Sequence, residues 1–220
     1  MTELTARAVL LDMDGTLVNS DAVVERCWRR WAVGVGLDPE VVLGVVHGRQ
    51  GHESMALLLP ERSMEENLAD NAEMLVQETN DTEGVVPVPG AAALLAALNG
   101  LPHALVTSAN VPLMRTRMSA SGLPLPDVLV TAESVSASKP HPEGFLKGAA
   151  ELGFSPQECV VFEDAPAGIA AAHAAGMRVV GVGPRAATGP LTPAVTVRDL
   201  EQVLLTADAD TGLLRLAFRH

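Results

Sequence analysis

The chain has 220 residues and a formal net charge of −12, and its only lysines are Lys139 and Lys147. So acidic a chain lacks the basic patches that nucleic acid or an anionic membrane surface requires. An apolar content of 48% allows a full core, in one large domain or one domain carrying an insertion.

The first strong signal is Ala8 to Leu11, a short apolar run read as a buried strand. Asp12 closes it, Asp14 follows, Gly15 lets the chain turn and Thr16 adds a hydroxyl. Taken alone, these residues also suit a plain β-turn. Two carboxylates at the carboxyl end of a buried strand, however, lie where open parallel sheets place ligands. Acids crowded in a poorly solvated site repel each other unless a cation or a shared proton is present. Nothing before the strand reads as a secretory signal, and no apolar run is long enough to span a bilayer. Cys27 and Cys159 lie far apart with no metal or disulfide spacing, so a cytoplasmic location is expected, with both thiols simply packed.

Residues 21–80 read as helices with almost no strand signal. Asp21 is the expected N-cap of a helix with Val23, Val24, Cys27, Trp28 and Trp31 on one apolar stripe, both tryptophans serving as core. Asp38-Pro39-Glu40 starts a second helix. Gly48 and Gly51 interrupt the next segment, which resumes as helix over 55–59. Ser63 and Glu66 form a capping box for a helix running to about residue 79. Residues 81–89, polar and then proline-rich, read as a hinge. From residue 90 helices (91–98, 111–121, 143–152, 167–175) alternate with strands (103–107, 128–131, 159–162, 178–182). That alternation predicts an α/β fold, a doubly wound parallel sheet of Rossmann-like form. Residues 1–18 and 87–220 form its core, and residues 19–86 an inserted, all-helical cap. Residues 207–220 carry weak signals and receive no assignment.

Four polar groups then fall on one edge of the sheet: Asp12 with Asp14, Ser108 with Asn110, Lys139, and Glu163 with Asp164. One polar strand end is turn chemistry; four of these types make a site. The acids offer a few hard oxygen ligands, as Mg²⁺ prefers. Ser108 and the amides near it suit phosphate oxygens, and Lys139 suits a phosphate and a nucleophilic carboxylate together. This is equipment for phosphoryl transfer, where positioning and charge stabilisation dominate and a carboxylate can act as nucleophile.

The chain resembles the haloacid dehalogenase superfamily of phosphohydrolases. The match runs through Asp12-Met13-Asp14-Gly15-Thr16, Thr107-Ser108, Lys139-Pro140-His141-Pro142 and Glu163-Asp164-Ala165-Pro166-Ala167-Gly168-Ile169, in the family's order over residues 8–177. The resemblance implies that Asp12 is the nucleophile, and that Asp14 is general acid and then general base, with its backbone carbonyl on Mg²⁺. It implies Asp164 as a direct metal ligand and Glu163 close by through water. Ser108 and Lys139 would bind the phosphoryl group with Asn110 adjacent, and Thr16 would hold Asp14. In the cap, Val46-His47-Gly48-Arg49-Gln50 resembles the specificity loop of phosphatases acting on small sugar and polyol phosphates, which implies substrate contacts from His47, Arg49 and Gln50. The plainer alternatives are helix-end histidines for His47 and His52 and a solvated charge for Arg49. His103, His173 and His220 read as structural, and His141 is unassigned.

The function implied is Mg²⁺-dependent hydrolysis of a small phosphorylated sugar or polyol through an aspartyl-phosphate. The alternatives are a sugar phosphomutase of the β-phosphoglucomutase type and a catalytically silent binding protein. A true dehalogenase lacks a second acid at the place of Asp14, and phosphonate cleavage uses a cap lysine, of which residues 19–86 have none. The expected partner is a small phosphorylated metabolite, with the chain a monomer or weak dimer.

Overall fold

The computed structural model describes residues 2–219, so His220 lies outside the described residues. In chain order these form β1 Thr2–Ala6, β2 Ala8–Leu11, β3 Val18–Asn19, α1 Asp21–Gly34, α2 Pro39–Leu43, α3 Gly51–Leu58, α4 Met64–Asn80, β4 Val86–Pro87, α5 Ala91–Leu98, β5 His103–Val106, α6 Val111–Ala120, β6 Val128–Val130, α7 Glu143–Leu152, β7 Cys159–Glu163, α8 Pro166–Ala174, β8 Arg178–Val182, β9 Val195–Val197, β10 Val203–Ala207 and β11 Leu214–Phe218.

All four residues of β2 are fully buried, because the strand runs through the middle of a parallel sheet ordered β6-β5-β2-β7-β8-β9. Its period of two sends Val9 and Leu11 to one face, with Leu94, Leu113 and Phe162, and Ala8 and Leu10 to the other, with Phe145, Val161 and Ile169. Both faces are therefore covered, which explains why the strand reads as a continuous apolar run. After β2 the chain adds β5 and β6 on one side, and then β7 to β9 on the other. The carboxyl ends of β2 and β7 thus flank the point where strand order reverses, the crevice in which such sheets bind ligands.

Helices α1 to α4 form the inserted helical cap. A two-stranded ribbon pairing Asn19 with Val86 brackets them. Their start signals work as the residues suggest. The Asp38 side chain accepts the Glu40 N–H at 2.9 Å, and Ser63 and Glu66 close a reciprocal box at 3.3 and 3.1 Å. Trp28 and Trp31 pack edge to face at 5.4 Å, and Trp31 Nε1 donates to Asp70 at 2.7 Å. Two expectations change. Ser20, not Asp21, occupies the N-cap position of α1, and it makes no capping bond. Helix α3 begins at Gly51 rather than at residue 55: a Cβ there would lie 2.2 Å from Asn71 Oδ1, so the glycine lets α3 and α4 approach instead of breaking the helix.

The chain's last segment is ordered as strand. β10, β11 and β1 form a separate antiparallel sheet, with Thr2 opposite Phe218, and Leu214, Leu216 and Phe218 turned into the core. Both cysteines are free and buried. Among the described residues no helix is long and apolar enough to cross a membrane.

Candidate active site

Asp12 follows β2 directly, and its N–H donates to Phe162 O at 3.0 Å, which ties it to the end of β7. Buried Lys139 donates to Asp12 Oδ1 at 2.5 Å, Glu163 Oε1 at 2.8 Å and Val106 O at 3.2 Å, which uses all three ammonium hydrogens. The other Glu163 oxygen, Oε2, accepts the Ala165 N–H at 2.7 Å. One cation thus stands between two buried carboxylates. Burial pushes the Asp12 carboxyl up to about 7 against the pull of Lys139. Burial disfavours the ammonium too, but Asp12 and Glu163 outweigh it and raise Lys139 above its ordinary value.

Asp164 lies beside this trio. Burial, with Glu163 and Asp12 adding to it, raises its carboxyl well above the usual range, and Arg185 offsets only part of this. Arg185 reaches Asp164 Oδ2 from two nitrogens, each at 2.9 Å, and Asp21 at 2.9 Å. Gly15 has φ +83°, and a Cβ there would lie 2.0 Å from Asp164 Oδ2, so only glycine fits this turn.

Asp14 points elsewhere. Its Oδ1 accepts from Ser20 Oγ at 2.7 Å and its Oδ2 meets Arg117 at 2.8 Å. Arg117, 4% exposed, also bonds Glu78 Oε2 at 2.7 Å. Thr16 does not hold Asp14: its buried Oγ1 has no hydrogen-bond partner among the described residues. The hydroxyl that does so belongs to Ser20, and the missing N-cap bond of α1 is the reason it is available.

The cap closes directly over these groups. Ser108 Oγ donates to Gly48 O at 3.1 Å, the Gln50 N–H reaches Ser138 Oγ at 3.5 Å, and Ser138 Oγ also donates to Glu53. A cavity of about 90 Å³ remains between cap and core, bounded by Asp12, Asp14, Ser108, Arg117 and Arg185 from the core and by Trp28, His47, Arg49, Asn71 and Glu78 from the cap. Two expected contacts are placed differently. Asn110 is not among the residues that bound this cavity; its Oδ1 accepts the Leu113 N–H at 3.0 Å and caps α6. Gln50 lines a smaller neighbouring crevice with Ser108 and Lys139.

Burial, with Arg185 nearby, lowers the His47 imidazole to about 4 from its ordinary 6.5. The unfolded chain therefore binds the extra proton between those values, and stability falls as pH falls through that window. Wild type should lose more stability than His47→Gln between pH 6.5 and about 4, by about 3 kcal/mol. Urea titrations across that range test this; equal losses would put His47 in solvent.

Asp12, Glu163 and Asp164 each offer an oxygen within 4.8 Å of the others. Few, hard, anionic donors suit a divalent cation such as Mg²⁺. Both Glu163 oxygens are already bonded, which leaves Asp12 and Asp164 as the carboxylates with an oxygen to give. The Asp14 carboxylate lies outside this group.

The family model for haloacid dehalogenase-like hydrolase matches residues 6–176. The chain belongs to this family. Hexitol phosphatase A of Escherichia coli (strain K12) is 43% identical over 92% of the chain and 95% of its own length. Glycerol-1-phosphate phosphohydrolase 1 of Saccharomyces cerevisiae is 35% identical over 81% of the chain and 75% of its own length. Among solved structures, β-phosphoglucomutase from Clostridium difficile superposes with a TM-score of 0.77 at 25% identity, covering 90% of this chain and 92% of that one. This haloacid dehalogenase-like hydrolase is an enzyme, a phosphoric monoester hydrolase. Family members generally use a divalent metal, and the buried acids fit that habit.

Ser20, Glu78, Arg117 and Arg185 also bound this cavity, and sequence reasoning misses them. Arg185 follows the carboxyl end of β8, so the strand-end rule that singles out Lys139 also reaches it. Arg117 sits inside a helix and carries no such signal.

Proposed function

We propose that the chain hydrolyses the phosphomonoester of a small polyol or sugar through an aspartyl-phosphate on Asp12. The observation that carries this reading is the Asp12 carboxylate held against Lys139, at a cavity between cap and core that also contains a second, independently anchored carboxylate, Asp14. The names of the relatives, hexitol and glycerol-1-phosphate phosphatases, point to the same leaving groups.

An Asp12 oxygen attacks phosphorus, with Lys139 balancing charge on the carboxylate and on the phosphoryl oxygens. The phosphorus–oxygen bond to the alcohol breaks, and Asp14 gives that oxygen its proton. Water then attacks the phosphorus of the acyl phosphate and Asp14 takes its proton, which frees phosphate and restores Asp12. Ser20 and Arg117 orient Asp14 for both transfers. Ser108 turns from Gly48 to a phosphoryl oxygen when substrate enters. Mg²⁺, held by Asp12, Asp164 and the Asp14 backbone carbonyl, would supply Lewis-acid neutralisation of the phosphoryl charge.

The mutase reading needs a cap cation for a second phosphate. Among the described residues Arg49 is the cap arginine that lines the cavity, and it sits between two residues bonded to the loops of Ser108 and Lys139. That is the side of the reacting phosphoryl, so water attack is favoured over return to a sugar hydroxyl.

The test is turnover on a panel of phosphorylated sugars and polyols, with Mg²⁺ and with excess chelator. Polyol monophosphates should release phosphate only with the metal. Full turnover in chelator would remove the metal, and glucose 6-phosphate formed from glucose 1-phosphate faster than free phosphate would replace hydrolysis by mutase chemistry.

A further inference from the structure

The cavity has two chemically different ends. At one end stands Asp12, held from behind by Lys139, with Ser108 and the cap loop that carries Arg49. At the other, α4 presents Glu78 beside Trp28, Met74 and Leu75, with Leu113 of α6 across from them. Glu78 is 7% exposed, and among the described residues its side chain bonds only Arg117, through Oε2 at 2.7 Å. That contact has the length and partner of a charge-assisted bond to an ionised carboxylate. Oε1 is left for a ligand. The same guanidinium holds Asp14 at 2.8 Å, so a single positive charge faces two carboxylates. This end of the cavity therefore combines apolar walls, one oriented acceptor oxygen and an excess of negative charge.

We propose that Glu78 is the specificity-determining residue for the leaving group. Its carboxylate accepts a hydroxyl hydrogen from a neutral, polyhydroxylated alcohol and repels leaving groups that carry a carboxylate or a second phosphate. The inference rests on the phosphatase reading above and deepens it. Carbon atoms of the alcohol lie along Trp28, Met74 and Leu75, and a hydroxyl meets Glu78. An anion there would face unbalanced charge beside a buried carboxylate, where like charges repel more strongly than in bulk water. Arg117 acts as a positioning residue: it ties the acceptor on the cap to the proposed acid–base group on the core, so both are in place only when the cap is closed.

The experiment uses a matched pair, glycerol 3-phosphate and 3-phosphoglycerate, which differ in a hydroxymethyl against a carboxylate at the far carbon. Their leaving oxygens are alike, so a disturbance of Asp14 through Arg117 affects both equally and cancels in the ratio of kcat/KM. Wild type should prefer glycerol 3-phosphate by at least about 100-fold. Glu78→Gln, which keeps an acceptor for Arg117, should cut that ratio by at least about tenfold, whatever it does to the absolute rates. Glu78→Asp, which keeps the charge, should retain most of the ratio. Comparable wild-type rates on the pair would overturn the proposal without any variant, and so would a Glu78→Gln ratio equal to wild type. If wild type cleaves p-nitrophenyl phosphate but no polyol phosphate at all, the substrate reading itself fails, and the proposal fails with it.

Discussion

Asp12→Asn should fold, melt near the wild-type temperature and lose turnover by a factor on the order of 10⁴ or more. The amide keeps an oxygen for the Lys139 bond that Asp12 Oδ1 makes at 2.5 Å, so the local packing survives. What disappears is the anionic oxygen proposed to form the bond to phosphorus, and a neutral amide is a poor nucleophile. Desolvation by the surrounding sheet, which pushes the Asp12 carboxyl up to about 7, marks an oxygen weakly solvated and ready to react once charge-balanced. Steady-state kinetics with p-nitrophenyl phosphate beside a melting curve make the test. Turnover within tenfold of wild type would place the nucleophile elsewhere.

Lys139→Met should be damaged in stability as well as in activity. The ammonium lies between Asp12 and Glu163, whose side chains are 7% and 0% exposed. Its removal leaves two carboxylates in a dry site with no cation between them. Breaking a buried pair by deleting one partner costs about 3–5 kcal/mol. Urea unfolding at neutral pH should show a loss of that size, and the deficit should shrink as pH falls, because a proton on either acid removes the repulsion. Activity should fall by at least about 10³-fold, since charge on both nucleophile and phosphoryl goes unbalanced. A variant as stable as wild type would mean that the two acids do not depend on the lysine.

The sheet and its polar edge were legible because each central strand is buried on both faces and stops at a chemically distinctive residue. Ala8–Leu11 ends at Asp12, and Cys159–Glu163 runs into Asp164. The small sheet of β1, β10 and β11 was not legible. Thr2–Ala6 shows no clean alternation of buried and exposed residues, and its partner lies at the far end of the chain, a pairing that no local pattern encodes. The alternation of Leu214, Leu216 and Phe218 with outward Arg215 was there to be read, but it is only five residues long.

The cap shows how a polar residue can hide on a core stripe. Asn67, Asn71, Met74 and Glu78 recur at the spacing of one helix face, and that face turns inward. Of its polar residues, Asn71 and Glu78 line the cavity, which a solvated face would not. Asn110 errs in the opposite sense: asparagine before Val111-Pro112 is also an ordinary helix cap, and local geometry gives it that task. Thr16 and Ser20 are both hydroxyls near Asp14, and only the turn at Gly15 decides that Ser20 reaches it.

The most direct measurement is a rapid acid quench of wild-type enzyme mixed with Mg²⁺ and radiolabelled glycerol 3-phosphate, followed by peptide mapping. Label should appear on Asp12, formed before free phosphate accumulates and lost at a rate no slower than turnover. Steady hydrolysis with no label on Asp12, or with label on another residue, would contradict it.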